Sequence, residues 1–274
     1  MTQDKKKGTS RRIIWLFLGL IATLGLAKIA HSQMPHMADG FMTAPDGVQV
    51  FYEHAKVMPA KGTVIFLHGW GMSYNEWSGF KEKFQEDGWS TFAFDFRGHG
   101  ASTEAPGRQL DYQKMGSRGQ RKTLLTDIRM AVDHVDTPEN PVWLVGSSIG
   151  ADYALNYATK DERITGVVLI SPFYDNFGTL KKKMIKNYGS RPILMISAQN
   201  NSPSFRTCLH LKNKASGPSL FYSVRNREDK WFRDKKPFVN PILRWINNWQ
   251  TQPSGPTEPV VTVDRTSGYV EIEI

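Results

Sequence analysis

The chain of 274 residues is long enough for one large domain or two small ones, and its 40% hydrophobic, 12% aromatic and 22% charged residues are ordinary for a globular protein. This composition excludes wholesale disorder, collagen and a coiled coil, and the single cysteine, Cys208, excludes an internal disulfide framework. The formal net charge is +9, but the first 32 residues supply five of those charges, so no nucleic-acid partner is expected.

The N-terminal segment, residues 1–32, has the pattern of an export signal. Lysines and arginines precede an apolar run, Ile13–Ala27. Small residues allow cleavage after Ala27 or after Ser32, and the alternative is an uncleaved signal anchor, for which the run is short. Because the charges in front of the run keep the N-terminus in the cytoplasm, residues 33–250 are predicted to form an exported or membrane-tethered domain, periplasmic or extracellular.

From Phe41 onwards the sequence alternates between strand and helix patterns, which indicates a mostly parallel sheet with helices on both faces. A hairpin is predicted at Phe41–Thr43 and Val48–Tyr52, and Trp77, Phe80 and Phe84 have helical spacing. Short, almost continuously apolar runs predict further strands at Val64–Leu67, Thr91–Phe96, Val142–Val145, Gly166–Ile170, Ile193–Ile196 and Leu220–Val224. Amphipathic or small-residue stretches predict helices at Leu124–Val135, Ile149–Ala158 and Pro241–Trp249, the last with Asn240 as N-cap.

The last segment, residues 251–274, differs in composition from the domain before it. Residues 251–259 are rich in proline, serine and threonine, which indicates a linker. Val260–Val263 and Tyr269–Ile274 are predicted to pair as a terminal hairpin. This tail either packs on its own domain, which is the favoured alternative, or docks elsewhere as an added strand.

A G-x-S-x-G motif, Gly146–Gly150, lies between a predicted strand and a predicted helix. In that setting a strained turn lifts the hydroxyl of Ser148 above the edge of the sheet. Gly146 and Gly150 are needed because a β-carbon at either position would clash with a neighbouring strand or helix. A serine at a helix N-terminus also lies where backbone N–H groups favour a developing oxyanion.

With this motif in place, residues 41–250 resemble the α/β-hydrolase superfamily of lipases, esterases and thioesterases. His68–Gly71 matches the turn that supplies one oxyanion-hole amide in that family, and Asp95–Ser102 matches its D-x-R-G-x-G-x-S turn. The resemblance implies an α/β-hydrolase fold. Because residues 174–190 contain at most one short helix, no large lid domain is expected and the site should be open.

The resemblance also assigns roles to individual residues. It implies that Ser148 is the nucleophile, with Ser147 as the less favoured alternative, and that the backbone N–H groups of Trp70 and Ile149 form the oxyanion hole. A serine hydroxyl needs a base, usually a histidine oriented by a carboxylate. In this sequence the positions of the base and of the acid depart from the family pattern.

The loop after the last predicted strand of the sheet contains no histidine. Lys230 lies near the expected position of the base, and His210 is the best candidate among the histidines elsewhere in the chain. The acid position is occupied by Asn201, or by its neighbour Asn200, and neither can supply a negative charge. Asp175, after the preceding strand, is the fallback acid.

Two functions follow from these observations. The first is an exported or membrane-tethered serine hydrolase acting on carboxylic esters or thioesters, with a small-molecule or lipid ester as substrate. The alternative is a catalytically lapsed hydrolase fold that serves as a binding or scaffold module. No Cys/His cluster has metal-ligand spacing and no phosphate-binding loop is present, so no metal and no cofactor are expected. The basic residues Lys181–Lys183 and Lys186 are interpreted as a solvated face.

Overall fold

A computed structural model describes residues 35–115, 121–135, 140–174, 180–224, 236–251 and 269–272. The N-terminal segment, residues 1–32, therefore lies outside the described residues. Within the ranges just given, no helix is long and apolar enough to cross a membrane.

The described chain alternates between strands and helices as the sequence predicts. The strands are β1 (His36–Thr43), β2 (Gln49–Lys56), β3 (Thr63–Leu67), β4 (Ser90–Phe94), β5 (Glu104–Ala105), β6 (Arg108–Gln109), β7 (Val142–Ser147), β8 (Ile164–Ile170), β9 (Ile193–Ala198), β10 (Ser219–Val224) and β11 (Tyr269–Ile272). The helices are α1 (Phe80–Glu86), α2 (Leu124–Val135), α3 (Ile149–Ala158), α4 (Met184–Tyr188), α5 (Ser202–Lys214) and α6 (Lys236–Thr251). Two 3₁₀ turns lie at Tyr74–Trp77 and Tyr112–Lys114.

The main sheet has the strand order β1-β2-β4-β3-β7-β8-β9-β10-β11. Its centre, from β4 to β10, is parallel. The strands β1 and β2 at one edge and β11 at the other are antiparallel to their neighbours. The carboxyl ends of the central strands therefore meet at one edge of the sheet, and the predicted mostly parallel α/β-hydrolase fold without a large lid is confirmed.

Two hydrophobic cores lie on opposite faces of this sheet. In β3, Ile65 and Leu67 belong to the core under α2, α3, α4 and α5, whereas Val64 and Phe66 belong to the core under α1 and α6. All four side chains are completely buried. Because successive strand residues enter opposite cores, the central strands appear in the sequence as continuous apolar runs.

Helix α6 begins earlier than the sequence predicts. Asn240 and Pro241 were the predicted N-cap and first residue, but the helix starts at Lys236 and Pro241 lies inside it. Phe238 and Val239 are buried and extend the apolar face of the helix by one turn toward its N-terminus. Their burial offsets the backbone hydrogen bond that proline cannot donate.

One described part of the tail joins the main sheet. Tyr269–Ile272 forms β11 and pairs antiparallel with β10, which makes it the last strand of the main sheet. The predicted partner segment, Val260–Val263, lies outside the described residues.

A buried ion pair fixes the loop that follows β4. The Arg97 guanidinium donates from Nε and Nη2 to Asp127 Oδ1 at 2.9 and 2.6 Å, and from Nη1 to Asp46 Oδ2 at 2.6 Å. Asp127, on α2, is completely buried. Burial raises the pKa of Asp127 to about 6, against the lowering effect of Arg97. The pair joins the loop after β4 to α2.

Buried histidines are expected to make the fold sensitive to acid. Burial, with smaller effects of Lys56 and His134, lowers the pKa of His54 from 6.5 to about 4. Between those two values the unfolded chain binds a proton at this position that the folded chain does not, so stability is lost as the pH falls from 6.5 to 4. The loss amounts to at most about 1.4 kcal/mol per pH unit.

The measurement is urea unfolding of the wild type and of His54→Phe at pH 7 and pH 4.5. The variant is expected to lose less stability between the two pH values than the wild type, because it has no proton to bind at position 54. Equal losses in both proteins would show that His54 does not contribute to the acid sensitivity.

Candidate active site

Ser148 occupies a strained turn at the carboxyl edge of the sheet. It follows β7, is the N-cap residue of α3 and has φ +50° and ψ −120°. Among the residues that the structure describes, Ser148 and Ser171 are the non-glycine residues with positive φ. Such backbone strain persists where the surrounding structure enforces it and is concentrated at functional sites. Ser148 is half-buried, so solvent reaches it.

The two glycines of the motif are required by close backbone contacts. A β-carbon on Gly146 would lie 2.4 Å from the carbonyl of Gly150. A β-carbon on Gly150 would lie 2.2 Å from the carbonyl oxygen of Leu67 in β3. Both distances are too short for any side chain, so the backbone can close this tightly around Ser148 only with glycine at both positions.

Ser147 and Ser148 have different surroundings. Ser147 is 1% exposed, and its hydroxyl donates to Glu76 Oε1 at 2.5 Å. Ser148 is the more accessible of the two. Its N–H donates to the Ile170 carbonyl at 2.8 Å, which joins the turn Gly146–Gly150, called the elbow below, to β8. Of the two serines weighed from the sequence, Ser148 is therefore the one that a substrate can reach.

The predicted oxyanion loop, His68–Gly71, lies directly against the elbow. Leu67, at the end of β3, is in register with Gly146 of β7, so the chain leaving β3 passes beside the turn. A β-carbon on Gly69 would lie 3.3 Å from Ser147 Oγ and 3.5 Å from Ser148 Cβ. Trp70 follows in this loop and Ile149 is the first residue of α3, so the two predicted donor amides come from segments that meet at Ser148.

His68 and His99 lie in turns, and both ring nitrogens of His68 are engaged in hydrogen bonds with the backbone. His68 is completely buried; its Nε2 accepts the Phe96 N–H at 2.9 Å, so its Nδ1 carries the proton and donates to the Gly69 carbonyl at 2.7 Å. Burial, with a smaller effect of His99, lowers the pKa of His68 to about 3. The His99 ring packs on Trp70 and stacks on Tyr112.

Two of the remaining predicted residues, Asn201 and His210, lie on α5. Asn201 is the N-cap of α5, and its side chain accepts the Ser204 N–H at 3.5 Å. His210 lies in the third turn of α5, about 12 Å along the helix from its start, with its ring against Tyr174. Asp175 and Lys230 lie outside the described residues. No group of three or more His, Cys, Asp or Glu side chains within the described ranges could hold a metal ion.

Glu76 is a site residue that the sequence analysis missed. It lies in the 3₁₀ turn Tyr74–Trp77, which Gly79, with φ +84°, separates from α1, so the helically spaced Trp77, Phe80 and Phe84 belong to two elements. Glu76 is 7% exposed, and its carboxylate accepts hydrogen bonds from Ser147 and Gly69. No local pattern in the sequence marks Glu76, because its burial depends on contacts with Gly69 and with Ser147, which lies 71 residues away.

Comparisons with known proteins agree with this geometry. A profile of the family described as serine aminopeptidase, S33, matches residues 58–208. A bifunctional esterase/perhydrolase of Acinetobacter calcoaceticus is 37% identical over 75 residues, and a non-heme chloroperoxidase of Burkholderia pyrrocinia is 27% identical over 136 residues. These matches cover 27% and 48% of this chain, and 26% and 44% of the relatives, so the chain spans less than half the length of either. A solved structure of an esterase of Pyrococcus furiosus has a TM-score of 0.62 at 16% identity, over 79% of this chain and 92% of that one, which shows the fold alone.

Proposed function

The chain belongs to the serine aminopeptidase S33 family of α/β hydrolases, and we propose that it is a serine hydrolase that cleaves carboxylic esters or thioesters. The observation that carries the proposal is the strained and accessible Ser148 at the N-terminus of α3, enclosed by glycines that no other residue could replace. Esterases among the similar proteins support the same reaction class.

In the proposed reaction, Ser148 Oγ attacks the acyl carbon and loses its proton to a base. The carbonyl oxygen becomes an oxyanion that accepts hydrogen bonds from the N–H groups of Trp70 and Ile149. The alcohol or thiol leaves with the proton from the base, and an acyl group remains on Ser148. Water then attacks this acyl-enzyme and releases the carboxylic acid.

The base is proposed from two candidates. Lys230 comes soon after β10 in the chain, and β10 ends at the carboxyl edge of the sheet. His210 lies about 12 Å along α5 from that edge, with its ring against Tyr174, and both residues stay candidates. A lysine acts as a base only when desolvation lowers its pKa. Since Asn201 already caps α5, Asp175 is the remaining candidate for the acid.

Hydrolysis of p-nitrophenyl butyrate and of a butyryl thioester by the purified full chain tests this function. Release of p-nitrophenol or free thiol should be proportional to protein concentration and should saturate with substrate. Lys230→Met and His210→Phe then rank the two bases by their loss of kcat. A folded protein that gives no rate above that of buffer would contradict the proposed function.

The two loops that flank Ser148 suggest the kind of acyl group. They follow β3 and β8, the two neighbours of β7, and neither Gly69–Ser73 nor Ser171–Tyr174 carries a charged residue. Met72 is 46% exposed and Phe173 is 38% exposed. The Phe173 N–H donates to the completely buried Asp152 in the first turn of α3, which holds this loop beside the elbow. An uncharged, apolar acyl group would cover both side chains and remove them from water.

Replacing Met72 or Phe173 by serine is expected to lower the preference for long acyl chains. The ratio of kcat/KM for p-nitrophenyl octanoate to that for the acetate should fall by about tenfold in either variant, because one apolar wall of the site is lost. Met58→Ser is the matched control, since Met58 is exposed but lies before the start of β3, at the amino edge of the parallel strands and opposite the elbow. An unchanged ratio in both site variants would contradict an apolar acyl site between these loops.

The location is a further part of the proposal. The cationic segment and the apolar run Ile13–Ala27 support export across a membrane, with the domain on the non-cytoplasmic side. An alkaline phosphatase fusion to the C-terminus of the full chain tests it in a bacterial host. The fusion should be active, because this reporter folds only outside the cytoplasm, and an inactive fusion that is present in the cell would contradict export.

A further inference from the structure

Glu76 is a buried carboxylate beside the elbow that the proposed reaction does not use. Its Oε1 accepts the hydroxyl proton of Ser147 at 2.5 Å, and its Oε2 accepts the Gly69 N–H at 2.7 Å. The side chain thus bridges the oxyanion loop and the elbow, two segments from different strands. A buried carboxylate is tolerated only with such partners, so the contacts are required by its burial.

The peptide between Gly69 and Trp70 is also held by hydrogen bonds, as the peptide between His68 and Gly69 is by Glu76. The Gly69 carbonyl accepts from His68 Nδ1 at 2.7 Å and from the Met72 N–H at 3.1 Å. A trans peptide is planar, and its C=O and N–H point in opposite directions. Fixing the Gly69 carbonyl therefore fixes the direction of the Trp70 N–H, which is the proposed oxyanion donor.

The segment that carries Glu76 is itself anchored. The Tyr74 N–H donates to Asp95 Oδ1 at 2.7 Å, and Asp95 lies just after β4. At the other end of the turn, Trp77 is completely buried, with its ring 5.1 Å from that of Phe66 in β3. Glu76 therefore projects from a turn that is fixed at both ends, and the position of its carboxylate determines that of Gly69.

We propose that Glu76 is a positioning residue of the Ser148 site. It ties the oxyanion loop to the elbow, so that, with His68, it aims the Trp70 amide before a substrate binds. The role depends on the two hydrogen bonds and not on a proton taken up by the carboxylate. This inference rests on the proposed function of Ser148 as the nucleophile.

Two substitutions separate positioning from charge. Glu76→Gln keeps both bridges, since its amide oxygen can accept from Gly69 and its NH₂ can donate to Ser147 Oγ. Glu76→Ala removes both. We expect kcat to fall by about 100-fold in Glu76→Ala with KM little changed, and by less than about tenfold in Glu76→Gln. Glu82→Ala is the matched control, because Glu82 also accepts a backbone N–H, that of Gly79, but is exposed on α1.

Hydrogen exchange at the Gly69 amide gives a readout that does not need catalysis. Exchange should be at least about tenfold faster in Glu76→Ala than in the wild type and in Glu82→Ala. If the wild type cleaves no ester, the proposed function fails, and the exchange rates alone decide whether Glu76 holds the loop. Unchanged exchange in Glu76→Ala, or a loss of kcat in Glu76→Gln as large as in Glu76→Ala, would overturn the proposed positioning role.

Discussion

Replacing Ser148 by alanine is expected to reduce kcat/KM for p-nitrophenyl butyrate by about 10³-fold or more. The alanine removes the only group that the proposed reaction uses as nucleophile and leaves the oxyanion loop and the glycines of the elbow in place. Ser147→Ala is the comparison, because Ser147 is buried against Glu76 and is expected to lose no more than about tenfold. The measurement is the initial rate of p-nitrophenol release at several substrate concentrations.

A stability measurement accompanies this result. Ser148→Gly removes the hydroxyl and also the strain of a β-carbon at φ +50°, so this variant should be inactive but about 1 kcal/mol more stable than the wild type. A gain in stability together with a loss of activity is expected where a backbone is strained for function. If Ser148→Ala kept the activity of the wild type, the nucleophile would be a different residue.

Replacing Asp127 by alanine is expected to lower the free energy of unfolding by about 3–5 kcal/mol. The reason is that the Arg97 side chain, which is 4% exposed, would stay buried without its main counter-ion. Asp46, the other partner of Arg97, is 51% exposed and replaces little of that interaction. Urea unfolding at pH 7 measures the loss.

Two further variants define the origin of this effect. The double variant Arg97→Met/Asp127→Leu should lose much less stability than Asp127→Ala, because no buried charge is left unpaired. Lys61→Ala, which breaks an exposed pair with Asp87, should cost less than about 1 kcal/mol. A loss of under 1 kcal/mol in Asp127→Ala would show that this ion pair does not hold the loop after β4 to α2.

The elbow could be predicted from the sequence because its constraints are local. Gly146 and Gly150 lie within one turn of Ser148, and the strand and helix patterns on either side determine where the turn must be. The bounds of α3, Ile149–Ala158, agree with the prediction residue for residue. The α/β order of the central strands follows in the same way, because each strand is buried on both faces and is therefore a continuous apolar run.

Contacts between distant segments could not be predicted. Glu76 and Ser147 are 71 residues apart, and their hydrogen bond depends on the register of β3 against β7. The start of α6 was predicted from the local signals of Asn240 and Pro241, but burial of Phe238 outweighs them. The base and the acid stay predictions, because Lys230 and Asp175 lie outside the described residues.

The central claim is that Ser148 is an activated nucleophile, and covalent labelling of the full chain by a fluorophosphonate tests it most directly. Digestion and mass spectrometry locate the phosphonyl group on the peptide that contains Gly146–Gly150. The account predicts one adduct, on Ser148, which is absent from Ser148→Ala and present in Ser147→Ala. No adduct in a protein shown to be folded, or an adduct on Ser147, would contradict it.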